Sequence, residues 1–175
     1  MKARAYWIEG PSRGRLAIVP RPRGGDWLDD EVSGWRESGI DVVVSFLTPA
    51  EEAEFALENE GEVCEAHGIR FVSFPIPDQE VPVSKESAAV LLLDLEQTLV
   101  EGKTIAVHCR QSIGRSAMIA AALLVAAGRN LMLPLRRSGR LVAARFRKLP
   151  NKNDGSRTLL RNCPTLQLCE ARETS

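Results

Sequence analysis

The sequence predicts an α/β fold with a mostly parallel central sheet flanked by helices, and three observations predict it. Apolar runs at 16–19, 41–47, 70–74 and 103–107 have the length and near-continuous apolarity of strands buried on both faces. Segments with helical caps or helical composition separate them, the alternation that builds a parallel sheet. Finally, Lys103-Thr104-Ile105-Ala106-Val107 passes through one short turn into an alanine- and leucine-rich run from Ala117 to Ala127, a strand feeding a helix.

Leu16 to Val19 is the first short strand, and Pro20-Arg21-Pro22-Arg23-Gly24-Gly25 is a connection, since proline and glycine interrupt regular structure. Asp26 is placed to cap a helix from Trp27 to about Ser38, with Trp27, Leu28, Val32 and Trp35 on one face and Gly39 ending it. Both tryptophans read as core anchors. Asp41 to Leu47 forms a buried strand. Thr48 and Pro49 occupy the preferred cap and first-turn positions of a second helix, and Glu51, Glu52 and Glu54 near its positive end read as a solvated face. His67, before Gly68, lies near a helix end. Ser84 caps a helix running through Val100, which leads into the strand before Cys109. Gly128 terminates the helix after it.

The turn joining that last strand and helix, His108-Cys109-Arg110-Gln111-Ser112-Ile113-Gly114-Arg115-Ser116, has a cysteine at its head and an arginine six positions later. Unpaired amides and the helix dipole at such a junction favour an anion. A thiolate benefits equally: an ordinary thiol is only about 3% ionised at pH 7, and helix N-termini or nearby cations raise that share. Inward-facing amides of residues 110–115 make Arg110, Gln111, Ser112, Ile113, Gly114 and Arg115 the candidate substrate-binding loop. Arg115 adds a planar fork that can hold two phosphoryl oxygens, and Gly114 permits the sharp backbone path before it. His108 is expected to pack behind the turn, and the Ser116 hydroxyl to donate to the sulfur.

Upstream, Phe74-Pro75-Ile76-Pro77-Asp78-Gln79-Glu80-Val81-Pro82 leaves the strand at 70–74, which puts Asp78 at the same sheet edge as the cysteine loop. Three prolines stiffen this segment and are expected to keep solvent out. Asp78 is the candidate general acid, with Glu80 its nearest substitute. A thiol nucleophile, an anion-holding loop and a carboxyl acid together support phosphoryl transfer without metal or cofactor.

His108-Cys109, five residues, then Arg115-Ser116, with Pro77-Asp78 ahead of them, resembles the cysteine-dependent protein tyrosine phosphatase superfamily. The resemblance extends over about residues 16–128. This chain departs from the family pattern at Ser112, where glycine is usual, at Gln111, where a small residue is usual, and at Ile76, where a tryptophan often precedes the Pro-Asp pair. Compact length, with no extended N-terminal phosphotyrosine-recognition segment, is more similar to the dual-specificity branch. The resemblance implies a protein tyrosine phosphatase-like fold and hydrolysis of phosphorylated proteins, at phosphotyrosine and also phosphoserine or phosphothreonine, through a phosphocysteine on Cys109. Phosphoinositide or RNA phosphatase activity, a rhodanese-like sulfurtransferase and a non-catalytic phosphopeptide-binding module are the competing readings. Asp78 and the Arg115-Ser116 pair favour neither of the last two.

Length and a 44% hydrophobic content suit one catalytic core, residues 1–128, followed by a tail, residues 129–175. The core holds 12 basic and 20 acidic residues and the tail 11 and 3, so a body near −8 carries a tail near +8. Such a tail suits association with the acidic body, with nucleic-acid binding a less favoured alternative. The N-terminal stretch lacks the apolar segment of a secretion signal, and the run 117–127 is too short to span a bilayer, so a cytoplasmic location is expected. Cys64, Cys109, Cys163 and Cys169 lack metal-ligand spacing. Cys64 reads as a buried structural thiol, the alternative being a protective disulfide with an oxidised Cys109.

Overall fold

The computed structural model describes residues 5–8 and 13–126. The tail at 129–175 and the expected helix stop at Gly128 lie outside the described residues. Five strands form one sheet in the order β1-β2-β5-β3-β4: β1 Tyr6–Ile8, β2 Arg15–Ile18, β3 Val42–Ser45, β4 Arg70–Ser73 and β5 Thr104–His108. All neighbours are parallel except β1, which runs antiparallel along β2 at the edge. The helices are α1 Leu28–Glu37, α2 Pro49–Glu54, α3 Glu60–Ala66, α4 Lys85–Val100 and α5 Arg115–Ala126.

Strand alternation divides the core in two. Leu16, Ile18, Val42, Val44, Ile105 and Val107 point to one face, where they meet Leu91, Leu95 and Leu99 of α4 and Ile119 and Leu123 of α5. Ala17, Val43 and Ala106 point the other way, against Leu28, Val32 and Trp35 of α1 and Cys64 of α3. Burying a valine or leucine in such a layer contributes roughly 1.5–3 kcal/mol. Cys64 is a buried thiol whose pKa is pushed up to about 12, first by burial and then by the charges of Glu60 and Glu65. It occupies the layer opposite to that of Cys109, so the two cannot pair across the sheet.

Caps decide where helices begin. In α2, the Thr48 hydroxyl accepts from the Glu51 amide at 3.3 Å while the Glu51 carboxylate accepts from the Thr48 amide at 3.0 Å, a reciprocal box. Ser84 accepts from the Ser87 amide at 3.1 Å and opens α4 as expected. Asp26 does not cap. Residues Gly25–Trp27 form a 3-10 turn and α1 starts only at Leu28, with no side-chain cap. That turn rotates Trp27 off the apolar face, leaving it 55% exposed with the Arg23 guanidinium 4.5 Å from its ring centroid, whereas Trp35 is a core anchor. Three residues of β1 are too few to display a period, which is why the sequence pattern does not reveal it.

The 20–25 connection lies against the chain that follows α2: the Gly25 amide donates to the Ala56 carbonyl at 3.0 Å. A Cβ on Gly24 would overlap the carbonyl oxygens of Phe55 and Ala56, which are backbone and cannot swing away. Gly24→Ala is therefore expected to cost roughly 3 kcal/mol. Gly39→Ala, at a φ of +79° with open space around it, is expected to cost about 1 kcal/mol. Urea denaturation midpoints of the two variants should rank in that order.

Candidate active site

Three parallel strands deliver the site to one edge. The Val19 amide donates to the Val107 carbonyl at 3.0 Å and the Phe46 amide to that of His108 at 3.1 Å, so the chain beyond β5 emerges between the ends of β2 and β3. Residues 109–114 then turn back into α5, whose first bond runs from the Met118 amide to the Gly114 carbonyl at 2.9 Å. Alternation sends His108 into the α1 side and buries Cys109 on the α4 and α5 side. Ser112 sits at a φ of +57°, the left-handed region that costs a non-glycine residue about 1 kcal/mol. Its hydroxyl donates to the Val19 carbonyl, which offsets that strain and ties the loop to β2. Glycine, usual at this position in the family resembled, enters that region without the cost. Gln111 is exposed and Ile113 half-buried.

Arg115 opens α5, but its side chain turns inward and is 3% exposed. Nη1 donates to the carbonyls of Phe46 at 3.1 Å and Ile76 at 2.8 Å and to Glu51 Oε2 at 2.7 Å, and Nη2 donates to Glu51 Oε1 at 2.7 Å. Phe46 follows β3 and Ile76 follows β4, so one guanidinium gathers two strand ends and a helix. Burial opposes its charge. The hydrogen bonds it donates to Glu51 and the coulombic influence of Cys109, Glu51 and Asp78 outweigh that penalty and raise its pKa above the ordinary value. Its Nε, also buried, has no hydrogen-bond partner among the described residues.

Glu51 is the main correction to the sequence reading, which put it on a solvated helix face. It is buried, and its carboxyl is held at about 2, chiefly by the Arg115 hydrogen bonds, against a burial penalty and with help from the Thr48 amide. Its signal was the Thr-x-x-Glu spacing of 48–51, which fixes a glutamate beside the helix start. Glu60 is a second residue that sequence reasoning missed. His108 Nε2 approaches its Oε1 to 2.8 Å with both side chains fully enclosed. The ring N–H is not aligned on the carboxylate, and neither group has another hydrogen bond among the described residues, so the two side chains meet as a close polar contact without a directed bond. Glu60 and Cys64 lie four apart in α3, and the shared buried face was the available signal.

Asp78 Oδ1 stands 3.4 Å from Arg115 Nη2, which brings the Pro77-Asp78 loop over the cysteine loop. The prolines do not shield it: the Asp78 side chain is 60% exposed, on a turn in which the Glu80 amide donates to the Pro77 carbonyl at 3.1 Å. Glu80 is exposed and makes no ion pair among the described residues. Arg110 is not a loose rim cation, because Glu54 grips it through two bonds of 2.9 and 2.8 Å. Ser116 Oγ is buried without a hydrogen-bond partner among the described residues, so donation to sulfur is not made in this arrangement.

The depressed Glu51 carboxyl sets an acid limit on stability. A carboxyl at about 2 in the fold and near 4.5 in the unfolded chain contributes fully above pH 4.5, and the contribution is lost as pH falls through 2. The amount at stake is about 3 kcal/mol. Glu51→Gln is expected to be roughly 3–5 kcal/mol less stable at neutral pH, since it strands a buried guanidinium. It should also lose less than wild type over that acid range. Urea titrations at neutral and acid pH check both.

The family model Tc-R-P, described as "Polymorphic toxin system, DSP-PTPase phosphatase", matches residues 19–129. No curated protein matches the chain in sequence. Among solved structures, kinase associated phosphatase superposes with a TM-score of 0.69 at 16% identity, over 85% of this chain and 93% of that one. Tk-PTP in its active form gives 0.65 at 24% identity, over 91% and 95%. A putative phosphatase (DUF442) from Shewanella putrefaciens gives 0.60 at 18%, over 95% and 92%. These likenesses show the fold, an α/β sandwich of protein tyrosine phosphatase type. With the family match spanning more than half its length, the chain belongs to the DSP-PTPase phosphatase family of polymorphic toxin systems.

Proposed function

We propose that the protein hydrolyses phosphomonoesters on proteins, phosphotyrosine and also phosphoserine or phosphothreonine, through a phosphocysteine intermediate. The observation that carries this reading is the free edge of Arg115. Glu51 and two carbonyls occupy Nη1 and one side of Nη2, and Asp78 Oδ1 stands 3.4 Å from Nη2 without a hydrogen bond, so the Nε hydrogen and the second Nη2 hydrogen remain a parallel pair of donors among the described residues. That pair matches two equatorial oxygens of a phosphoryl group.

In this mechanism the Cys109 thiolate attacks phosphorus in line, the S–P bond forms and the P–O bond to the leaving group breaks. The amides of residues 110–115 and the Arg115 edge hold the three equatorial oxygens, and Asp78 gives its proton to the departing oxygen. Water then attacks phosphorus. Asp78 takes its proton, the S–P bond breaks, and inorganic phosphate leaves with the thiolate restored. The exposure of Asp78 lets it exchange protons with bulk water between turnovers. Ser116, buried one residue into α5 with an unused hydroxyl, stabilises the departing sulfur after a rotamer change. His108 acts behind the loop, backed by Glu60. No helix among the described residues is long and apolar enough to cross a membrane.

Turnover of p-nitrophenyl phosphate tests the roles. Cys109→Ser is expected to abolish it, and Asp78→Asn to lower kcat by roughly 10²–10⁴-fold, the usual worth of a positioned acid. Acid quenching during turnover should trap phosphate on the wild-type protein and none on Cys109→Ser. Undiminished turnover by Cys109→Ser would exclude the mechanism.

A further inference from the structure

Helix α4 is apolar on both of its sides. Ala88, Leu91, Leu92, Leu95 and Leu99 are buried in the layer it shares with α5. On its other side Val90, Leu93 and Val100 are 67%, 47% and 57% exposed. They are three of the six large apolar side chains left exposed among the described residues, and a fourth, Val83, stands just ahead of the Ser84 cap. A helix that carries apolar side chains all round normally has protein on both sides.

The outer residues follow a regular spacing. Glu86, Val90, Leu93, Gln97 and Val100 succeed one another at steps of four, three, four and three, and all five are exposed. That alternation is how one helix presents a seam to another. Acids border the seam: α4 and the residue that ends it hold Lys85 against Glu86, Asp94, Glu96 and Glu101. Arg70 pairs with Asp94 at 2.8 Å and Lys103 with Glu101 at 3.2 Å, whereas Glu86 and Glu96 meet no cation among the described residues. A partner must therefore be apolar along one side and basic beside it. A second copy of α4 does not meet that requirement, because it brings the same acids.

The chain itself contains such a partner. Residues 129–175 hold 11 basic and 3 acidic residues, and the stretch 140–149 has Arg140, Arg145, Arg147 and Lys148 with no acid. Within it Val142, Phe146 and Leu149 recur at steps of four and three, the spacing of the seam. Reach is sufficient. α4 returns from the end of β4 to the start of β5, and α5, packed beside it, runs back from the end of β5, so the chain leaves Ala126 at the same end of the sheet as Val100. From there to Arg140 an extended chain spans up to ~45 Å, against ~24 Å for the whole of α4.

We propose that residues 140–149, which lie outside the described residues, dock on the outer seam of α4. Val142, Phe146 and Leu149 cover Val90, Leu93 and Val100, and the basic side chains between them meet Glu86 and Glu96. The contact stands on the outer side of the helix layer and does not depend on the chemistry proposed for Cys109.

Amide hydrogen exchange of the full chain tests the contact. Amides of 140–149 are expected to exchange about tenfold more slowly, or slower still, than those of a synthetic peptide of the same sequence, since burying one aliphatic side chain is worth at least that factor. Leu93→Arg should return them to the peptide rate. Because Leu93 projects outward, unchanged exchange in β5 should show that the fold persists in this variant. Phe146→Asp repeats the test without altering α4 and should have the same effect. Glu96→Lys and added salt should each remove part of the protection. Exchange of 140–149 at the peptide rate in wild type, or protection that survives both Leu93→Arg and Phe146→Asp, overturns the proposal. Protection that disappears on dilution also overturns it, and assigns the seam to a second copy of the chain.

Discussion

A guanidinium withdrawn from water at the edge of a parallel sheet has to be compensated on every side, and in this protein that requirement organises everything around Arg115. Its charge is met by Glu51, and its remaining inner hydrogens by carbonyls at the ends of two different strands. Those contacts fix α2, the exits of β3 and β4 and the start of α5 relative to one another. Rigidity at the anion site is thus a by-product of solvating one cation with protein. The part of the guanidinium left over is the part proposed to bind phosphate, which would divide structural and chemical duties between two edges of a single group.

A second enclosed polar contact stands on the opposite face of β5. His108 and Glu60 lie out of reach of water, with Trp35 packed tilted against the imidazole at 6.0 Å between ring centroids. The last residue of β5 and the one after it therefore face two different worlds: His108 belongs to a sealed layer, Cys109 to the site. Anything that disturbed α3 would reach the loop through this contact, because the backbone between residues 108 and 109 is shared.

Much of this was readable in the sequence because it is local. The strand runs, the Thr48 and Ser84 caps and the His-Cys-x5-Arg-Ser loop each depend on neighbours in the chain, and each falls where composition puts it. What escaped depends on partners far away. Glu51 meets Arg115 across 64 residues, so an acidic face that looks solvated by composition is in fact half consumed by the core. Trp27 went wrong for a different reason: a 3-10 turn has fewer residues per turn than an α-helix, and one such turn at the start shifts the face. Ser112 shows the reverse case, where a departure from the family pattern keeps the backbone shape by adding a bond.

The placement of Cys64 carries a consequence for how the protein meets peroxide. A sulfur oxidised to sulfenic acid is commonly rescued by condensing with a neighbouring thiol. Cys64 is held as a neutral thiol on the far side of the sheet from Cys109, and no third cysteine is present among the described residues. Within that part of the molecule no disulfide rescue is at hand, so protection falls to a sulfenamide with a backbone nitrogen or to a diffusible thiol from outside, and where neither forms in time the oxidation runs on to the irreversible sulfinic stage.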